Sequence, residues 1–333
     1  MFALFASLFA QAHFGWADIP AAVWITLGAT LGVLLLLKLT LRYIPHDRVG
    51  VVEKLWSAKG SVTEGAIIAL HGEAGYQADL LRGGMHFGYW RWQYRIHRAP
   101  LVAIRQGKIG YVYARDGDPL PPSQTLGRIV ECHNFQDAQA FLTSANVEQP
   151  RGQRGRQRAI LREGVYAINP ALFVVITEDS VYAMRDHNPQ ELQMMASWQA
   201  ELHAIGAFEP VVVGRPCTAA DPLNPEQEIE VDSIGIITVH DGPSLPPSEI
   251  IAPTVGADVS DQHFHNNFQN PEAFLAAGGM RGRQYLTLTD GTYFINRWFA
   301  TVELLPKIVV PIGYVGVVVS NYGRLGKDVS GAQ

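Results

Sequence analysis

The feature that most constrains this chain is that it repeats itself. IGYVYARDGDPLPPS begins at Ile109 and IGIITVHDGPSLPPS at Ile234, so Gly110/Gly235, Asp116/Asp241, Gly117/Gly242 and Leu120/Leu245 are each displaced by 125 positions. The match continues in order downstream. Asn134-Phe135-Gln136 recurs as Asn267-Phe268-Gln269, Phe141-Leu142 as Phe274-Leu275, and Gly155-Arg156-Gln157 as Gly282-Arg283-Gln284. Gly164, Tyr166, Ile168 and Asn169 recur as Gly291, Tyr293, Ile295 and Asn296. The opening strand occurs twice more, as VGVVEK from Val49 after Pro45 and as VGVVVS from Val315 after Pro311. A chain punctuated in this way folds as a row of like units, each burying its apolar face against the next.

Within a unit, the β-branched opening run predicts a strand, and Asp-Gly before Pro predicts a turn. FQDAQAFL and NPEAFLAAGG predict short helices; the second has Asn270 as N-cap, Pro271 at the first helical position and Gly278-Gly279 as a stop. REGVYAINPALFVVI and TDGTYFINRWFATVEL each predict a Gly turn and then a closing strand, with Asn at a kink or bulge. The first unit closes differently. In MHFGYWRWQYRIHRAPLVAI, Trp90, Trp92, Tyr94 and Ile96 alternate with Arg91, Gln93, Arg95 and His97, predicting a half-buried strand with its aromatic face packed on a sheet and no ligand assigned. The clearest helix runs from Pro189 to about Ile205, capped by Asn188 and stopped by Gly206, with Leu192, Met195, Trp198, Leu202 and Ile205 as its apolar stripe. Residues 214–228 read as a connecting loop.

The chain is 47% hydrophobic and only 17% charged, against about 25% charged for an average soluble domain, which excludes disorder and a dominant coiled coil. Part of that excess lies in residues 21–37, which carry no charge and no Pro. A span over about 20–38 is predicted, since roughly 20 residues at 1.5 Å each cross a hydrocarbon core of about 30 Å. Lys38, Arg42, Arg48 and Lys54 follow it, whereas no charged side chain precedes Asp18. The positive-inside rule then makes this a single-pass membrane protein with the bulk of the chain cytoplasmic. MFALFASLFAQA lacks the basic n-region of a cleaved signal peptide, so cleavage is the weaker reading.

A net charge of −5 without a clustered basic face excludes nucleic acid as a partner. Cys132 and Cys217 have no zinc-like spacing and fit a reducing compartment. P-loop, GxGxxG, GxSxG, HExxH and SxxK sequences are absent. His263 and His265 flank Phe264; on a strand that alternating pair, with Asp261 or His240, defines the alternative of a membrane-tethered metal-dependent hydrolase. Cys132 and His133 are strand neighbours with opposed side chains, the wrong geometry for an activated thiol. The preferred reading assigns no catalytic residue, no metal and no cofactor. One basic run stands out: Arg151, Arg154, Arg156, Arg158 and Arg162 are candidate contacts to anionic lipid headgroups, at about 1 kcal/mol per charge near the surface.

An apolar span followed by Pro45 and VGVVEK, then by Leu81-Arg82-Gly83-Gly84-Met85-His86-Phe87 and an aromatic stretch, resembles the opening of SPFH/band-7 proteins, specifically flotillin-like members. Gly83 stands where that pattern usually has Pro. The resemblance covers residues 44–104 best and the later units through their repetition. It implies a membrane-anchored scaffold that oligomerises and organises membrane microdomains or partner membrane proteins, without catalysis. The family's Ala/Glu-rich coiled coil has no counterpart after Val319, which leaves a piece of a longer protein or a shortened relative as the expectation.

The expected fold is therefore α+β: an N-terminal segment and transmembrane helix (1–43), then tandem β-rich SPFH-like modules with short helices. These lie at 44–105, 106–187 and 231–308, with a helix and loop at 188–230 and the start of a further module at 309–333. The expected partners are the bilayer, further copies of the chain and possible membrane-protein clients. A ligand-binding sensor with outward-facing modules is the remaining alternative.

Overall fold

A computed structural model describes residues 21–143, 150–184, 188–224, 226–247 and 249–320. The protein is α+β, mostly strands with few helices. Helix α1 (Ala21–Thr40) is long and apolar enough to cross a membrane, and its residues are exposed up to Lys38, with Thr40 buried at its end. Its C-terminal carbonyls are closed by the first unit: Tyr89 N donates to Thr40 O (3.3 Å), Arg91 N to Leu39 O (3.2 Å) and Arg91 Nε to Lys38 O (3.0 Å).

The first unit contains β1 (Arg42–Ile44), β2 (Arg48–Lys54), β3 (Ile68–Ala69), β4 (Gly75–Leu81), β5 (Gly84–His86) and β6 (Tyr94–Pro100). The expected aromatic strand is shorter than its pattern. Trp90 and Trp92 belong to the corner between β5 and β6, because that corner turns back to donate to the helix carbonyls; only Tyr94 and Ile96 join the small core of Ile44, Val52 and Leu81. The second unit follows almost without a linker: β7 (Val102–Ile104), β8 (Gly110–Ala114), α2 (Ala138–Leu142), β9 (Gly155–Leu161), β10 (Gly164–Tyr166), β11 (Phe173–Ile176) and β12 (Val181–Tyr182). Then come α3 (Pro189–Ala204), β13 (Val211–Val213), β14 (Pro216–Ala220), β15 (Glu228–Val239), α4 (Pro271–Ala276), β16 (Gly282–Arg283), β17 (Gly291–Tyr293) and β18 (Ala300–Pro306). Asn188 caps α3 and Asn270 caps α4, as expected. The segment read as a loop at 214–228 holds β14, which pairs with the start of β15.

Several pairings and hydrogen bonds recur with the sequence repetition. A short strand pairs antiparallel with the strand after the Gly turn in each unit: β1 with β5, β7 with β10 and β13 with β17. β2 and β8 carry a bulge at corresponding places, between Val51 and Glu53 and between Tyr111 and Tyr113. Gln77, Gln157 and Gln284 each sit opposite a parallel partner, Ala69, Gly127 and Ala252. Each donates its side-chain amide to the carbonyls four and two residues earlier. Gly75-Tyr76-Gln77 is thus the first-unit counterpart of the two Gly-Arg-Gln sequences, a likeness too short to stand out in the sequence. The fourth start keeps only its turn: Tyr314 N donates to Pro311 O as Arg48 N does to Pro45 O and Lys108 N to Arg105 O.

Two main cores lie between units rather than inside them. Along β11 every residue is buried because both faces are covered: Phe173 and Val175 face a core shared with Val51, Ile68 and Ala78 of the first unit, whereas Val174 and Ile176 face one shared with Ile237, Phe268 and Phe299 of the third. Helix α3 adds Met195 and Leu202 to the latter. Phe141 and Phe274 sit against bare glycine: a Cβ on Gly152 or Gly279 would come within 2.3 Å of their rings. Gly279→Ala therefore forces the ring out of place, and a loss of about 1–3 kcal/mol, typical of overpacking, is expected in urea unfolding of the full chain.

Candidate functional site

The Asn-Phe-Gln sequences form a left-handed turn in both units. His133, Asn134 and Phe135 have φ of 49°, 56° and 63°, and Asn266, Asn267 and Phe268 have 47°, 52° and 65°. A left-handed residue costs about 1–2 kcal/mol; Asn tolerates it, and Phe is compensated by burial worth about 1.5–3 kcal/mol. Phe135 packs on Phe141 and Phe173, and Phe268 on Phe274. The Gln then ties the turn to the closing hairpin, with Gln136 Oε1 accepting from Ala167 N (3.1 Å) and Gln269 Oε1 from Phe294 N (2.9 Å). Cys132-His133 and His263–His265, expected on strands, lie instead in the turns that lead into these left-handed residues, His133 being the first of its set.

That correction decides the metal question at His265. The ring is fully buried; its Nδ1 accepts from Phe268 N (2.9 Å) and its Nε2 donates to Val255 O (2.8 Å), so neither nitrogen offers a lone pair to a metal. His263 is exposed and separate. Among the described residues no group of three or more His, Cys, Asp or Glu side chains is placed to hold a metal. Cys132, at the corresponding start of the other turn, is buried, and burial pushes its thiol up to about 11.

Polar side chains instead concentrate at the seams. Asn169 donates its side-chain amide to Gln77 O and Ala78 O (both 3.1 Å), and Asn296 donates to Gln157 O (3.0 Å) and Arg158 O (2.9 Å). Each thus holds the strand of the preceding unit. The turn aspartates act alike: Asp116 accepts from Ile67 N (2.6 Å) and Ile68 N (2.9 Å), and Asp241 from Thr125 N (3.1 Å) and Thr125 Oγ1 (3.0 Å). The residues expected to mark a kink and a turn are therefore inter-unit clasps. The first unit has Trp56 and Tyr89 at these places, six residues after the strand glycine and five after the hairpin glycine.

The five arginines do not form one surface. Arg158 is buried, with Nε 2.8 Å from Asp241 Oδ2 and Nη1 3.0 Å from Glu272 Oε2, which corrects its placing as a headgroup contact. Arg156 lies over the rings of Trp198 and Trp298 at 4.4 and 5.1 Å, and burial holds its guanidinium below the usual range. Arg162 lies over Phe294 at 3.5 Å but remains exposed. Arg151 Nε donates to Leu142 O, and only Arg154 projects without such a partner among these five. A cleft of about 620 Å³ lies between the first and second units, with Ile96, Pro100, Phe173 and Tyr182 in its lining.

Compared with known proteins, the chain matches no family model, no curated protein and no solved structure. The SPFH/band-7 resemblance therefore rests on the quoted motifs.

Two outcomes follow from this geometry. Asn296→Ala leaves two buried carbonyls without donors and is expected to lower stability by about 1–3 kcal/mol, while Asp241→Ala, which removes the acceptor of Arg158 Nε and of Thr125 but leaves Glu272 paired with Arg158 Nη1, is expected to lower it by a similar amount; chemical denaturation measures both. Burial holds the His265 pKa below 6.5, so below that pH the unfolded chain takes up a proton that the folded chain refuses. Stability from this group is complete above pH 6.5 and declines as pH falls toward the depressed folded value. His265→Asn, which keeps an acceptor for Phe268 N, should flatten that part of the pH–stability curve.

Proposed function

We infer that this protein is a bilayer-attached, non-catalytic scaffold of SPFH/band-7, flotillin-like type, in which α1 spans the membrane and tandem copies of one module extend on its cytoplasmic side. The module's most specific polar residues, the Asn and Asp clasps, bind neighbouring backbone rather than a substrate, and they do so at both seams. That repeated clasp is the observation carrying the reading. A unit whose side chains are committed to binding its neighbour is an assembly element. The fourth start points the same way, for Ile308, Ile312, Val315, Val317 and Val318 are almost fully exposed. Apolar, β-prone surface of that kind is stable in a cell only when another strand or protomer covers it. The scaffold then organises a membrane microdomain or partner membrane proteins by its array of identical surfaces.

Detergent-solubilised full-length chain should elute as a large assembly, with a mass by light scattering that is many multiples of the protomer and with particles of uniform shape by electron microscopy. A strictly monomeric mass across the accessible concentration range overturns the reading.

A further inference from the structure

The corner that closes α1 carries a surface unlike anything in the other two units. Its gripping residues, Tyr89 and Arg91, donate to the carbonyls of the helix's last turn. Phe87 and Trp92 are therefore no more than two residues from groups fixed at the end of the apolar span. At about 3.3–3.6 Å per residue, their backbones lie within roughly 7 Å of it. The headgroup zone on each side of a bilayer is about 5–7 Å deep, from a total of about 40–45 Å around a core of about 30 Å.

At this depth the first unit exposes aromatic and apolar side chains. Trp92 is 55% exposed and stacks on Trp56, 47% exposed, with ring centroids 5.1 Å apart. Tyr43 and Met85 are directly opposite each other on the β1–β5 ribbon and exposed; Phe87, two residues on from Met85, is exposed as well. Val212 and Thr292 occupy the Tyr43 and Met85 places in the third unit, and Ala103 and Val165 in the second. Three guanidinia gather here too. Arg42 donates to Tyr94 O (3.3 Å), Arg91 to Lys38 O and Arg98 to Tyr43 O (3.1 Å), and none of the three is in an ion pair among the described residues. Burial and then the repulsion of Arg91 and Arg98 hold Arg42 below the usual guanidinium range, and its Nε is buried without a partner. Like charges held together by backbone carbonyls leave N–H donors and positive potential for an anion. Aromatic rings with an apolar body and a polar edge settle at the same bilayer depth as phosphate.

We propose that this end of the first unit is a lipid-binding surface: Trp56, Trp92 and Phe87 enter the bilayer interface while Arg42, Arg91 and Arg98 together bind the phosphate of an anionic phospholipid. The surface seats the row of units at a fixed angle to the membrane instead of leaving it on a flexible tether. It rests on the reading of α1 as a membrane span, and it replaces the arginine run at 151–162 as the headgroup contact.

The test uses full-length chain reconstituted into phosphatidylcholine vesicles with or without phosphatidylserine, the acyl chains of one lipid being brominated at a time. Resistance to alkaline carbonate extraction is scored first. Subtracting the emission of the Trp56→Phe/Trp92→Phe double variant from that of the wild type isolates the two rings. Their signal should be quenched by either brominated lipid and several-fold more by brominated phosphatidylserine. Replacing Arg42, Arg91 and Arg98 by Gln should abolish that preference while leaving the helix inserted; Arg42→Lys, which keeps the charge, should retain it. A carbonate-resistant chain whose isolated tryptophan signal is unquenched overturns the proposal and leaves the span intact. Quenching with equal response to the two lipids overturns the phosphate site alone. A chain released by carbonate overturns the span and the proposal with it.

Discussion

The structure depends on one recurring requirement: backbone carbonyls of the preceding element need donors, and the corner after the short hairpin strand of the following unit supplies them. In the second and third units Asn169 and Asn296 reach back to a strand edge. In the first unit there is a helix upstream instead of a strand, and the same corner donates through Tyr89 and Arg91 to the last turn of α1. The same corner thus joins the apolar helix to the first unit and unit to unit. Because a buried carbonyl without a partner costs about as much as a whole hydrogen bond is worth, the relative position of successive elements is tightly defined.

That clasp explains why the cores lie across seams. A four-stranded sheet with apolar side chains on both faces has no solvent side, and the second unit's sheet is of this kind, with β11 buried throughout. It requires a neighbour on each face. The buried Arg158, paired with Asp241 and Glu272 at the seam, works in the same direction. Burying an ion pair adds little net stability, but a mispositioned neighbour would leave a desolvated charge, so the pair rewards correct seating. The proposed lipid surface would apply the same logic at the α1 end, with a bilayer as the first unit's neighbour.

Several elements were legible from residues a few positions apart. The capped helices α3 and α4, the strand starts and the glycine turns depend on local chemistry, and so does the all-apolar helix α1. Pattern failed where a long-range bond competed with it. The alternation Trp90–Ile96 has strand periodicity, yet its first half is bent into a corner by the helix carbonyls. The His263–His265 pair has ligand-like spacing, yet both nitrogens of His265 are used, Nδ1 by Phe268 N of the left-handed turn that follows it and Nε2 by Val255 O.

The sequence by itself determined that the chain is a repeat, that a bilayer-length apolar helix precedes it, and where Asn, Asp and Gly recur. Only the tertiary structure decided what those residues hold: Asn296 meets a carbonyl 139 residues away and Arg158 a carboxylate 83 residues away. The same is true of exposure, for Arg158 lies inside a seam whereas Trp92 faces out beside the helix. Hydrogen-bond partners and burial are properties of which distant segments arrive together, and no window of sequence contains both ends of such a contact.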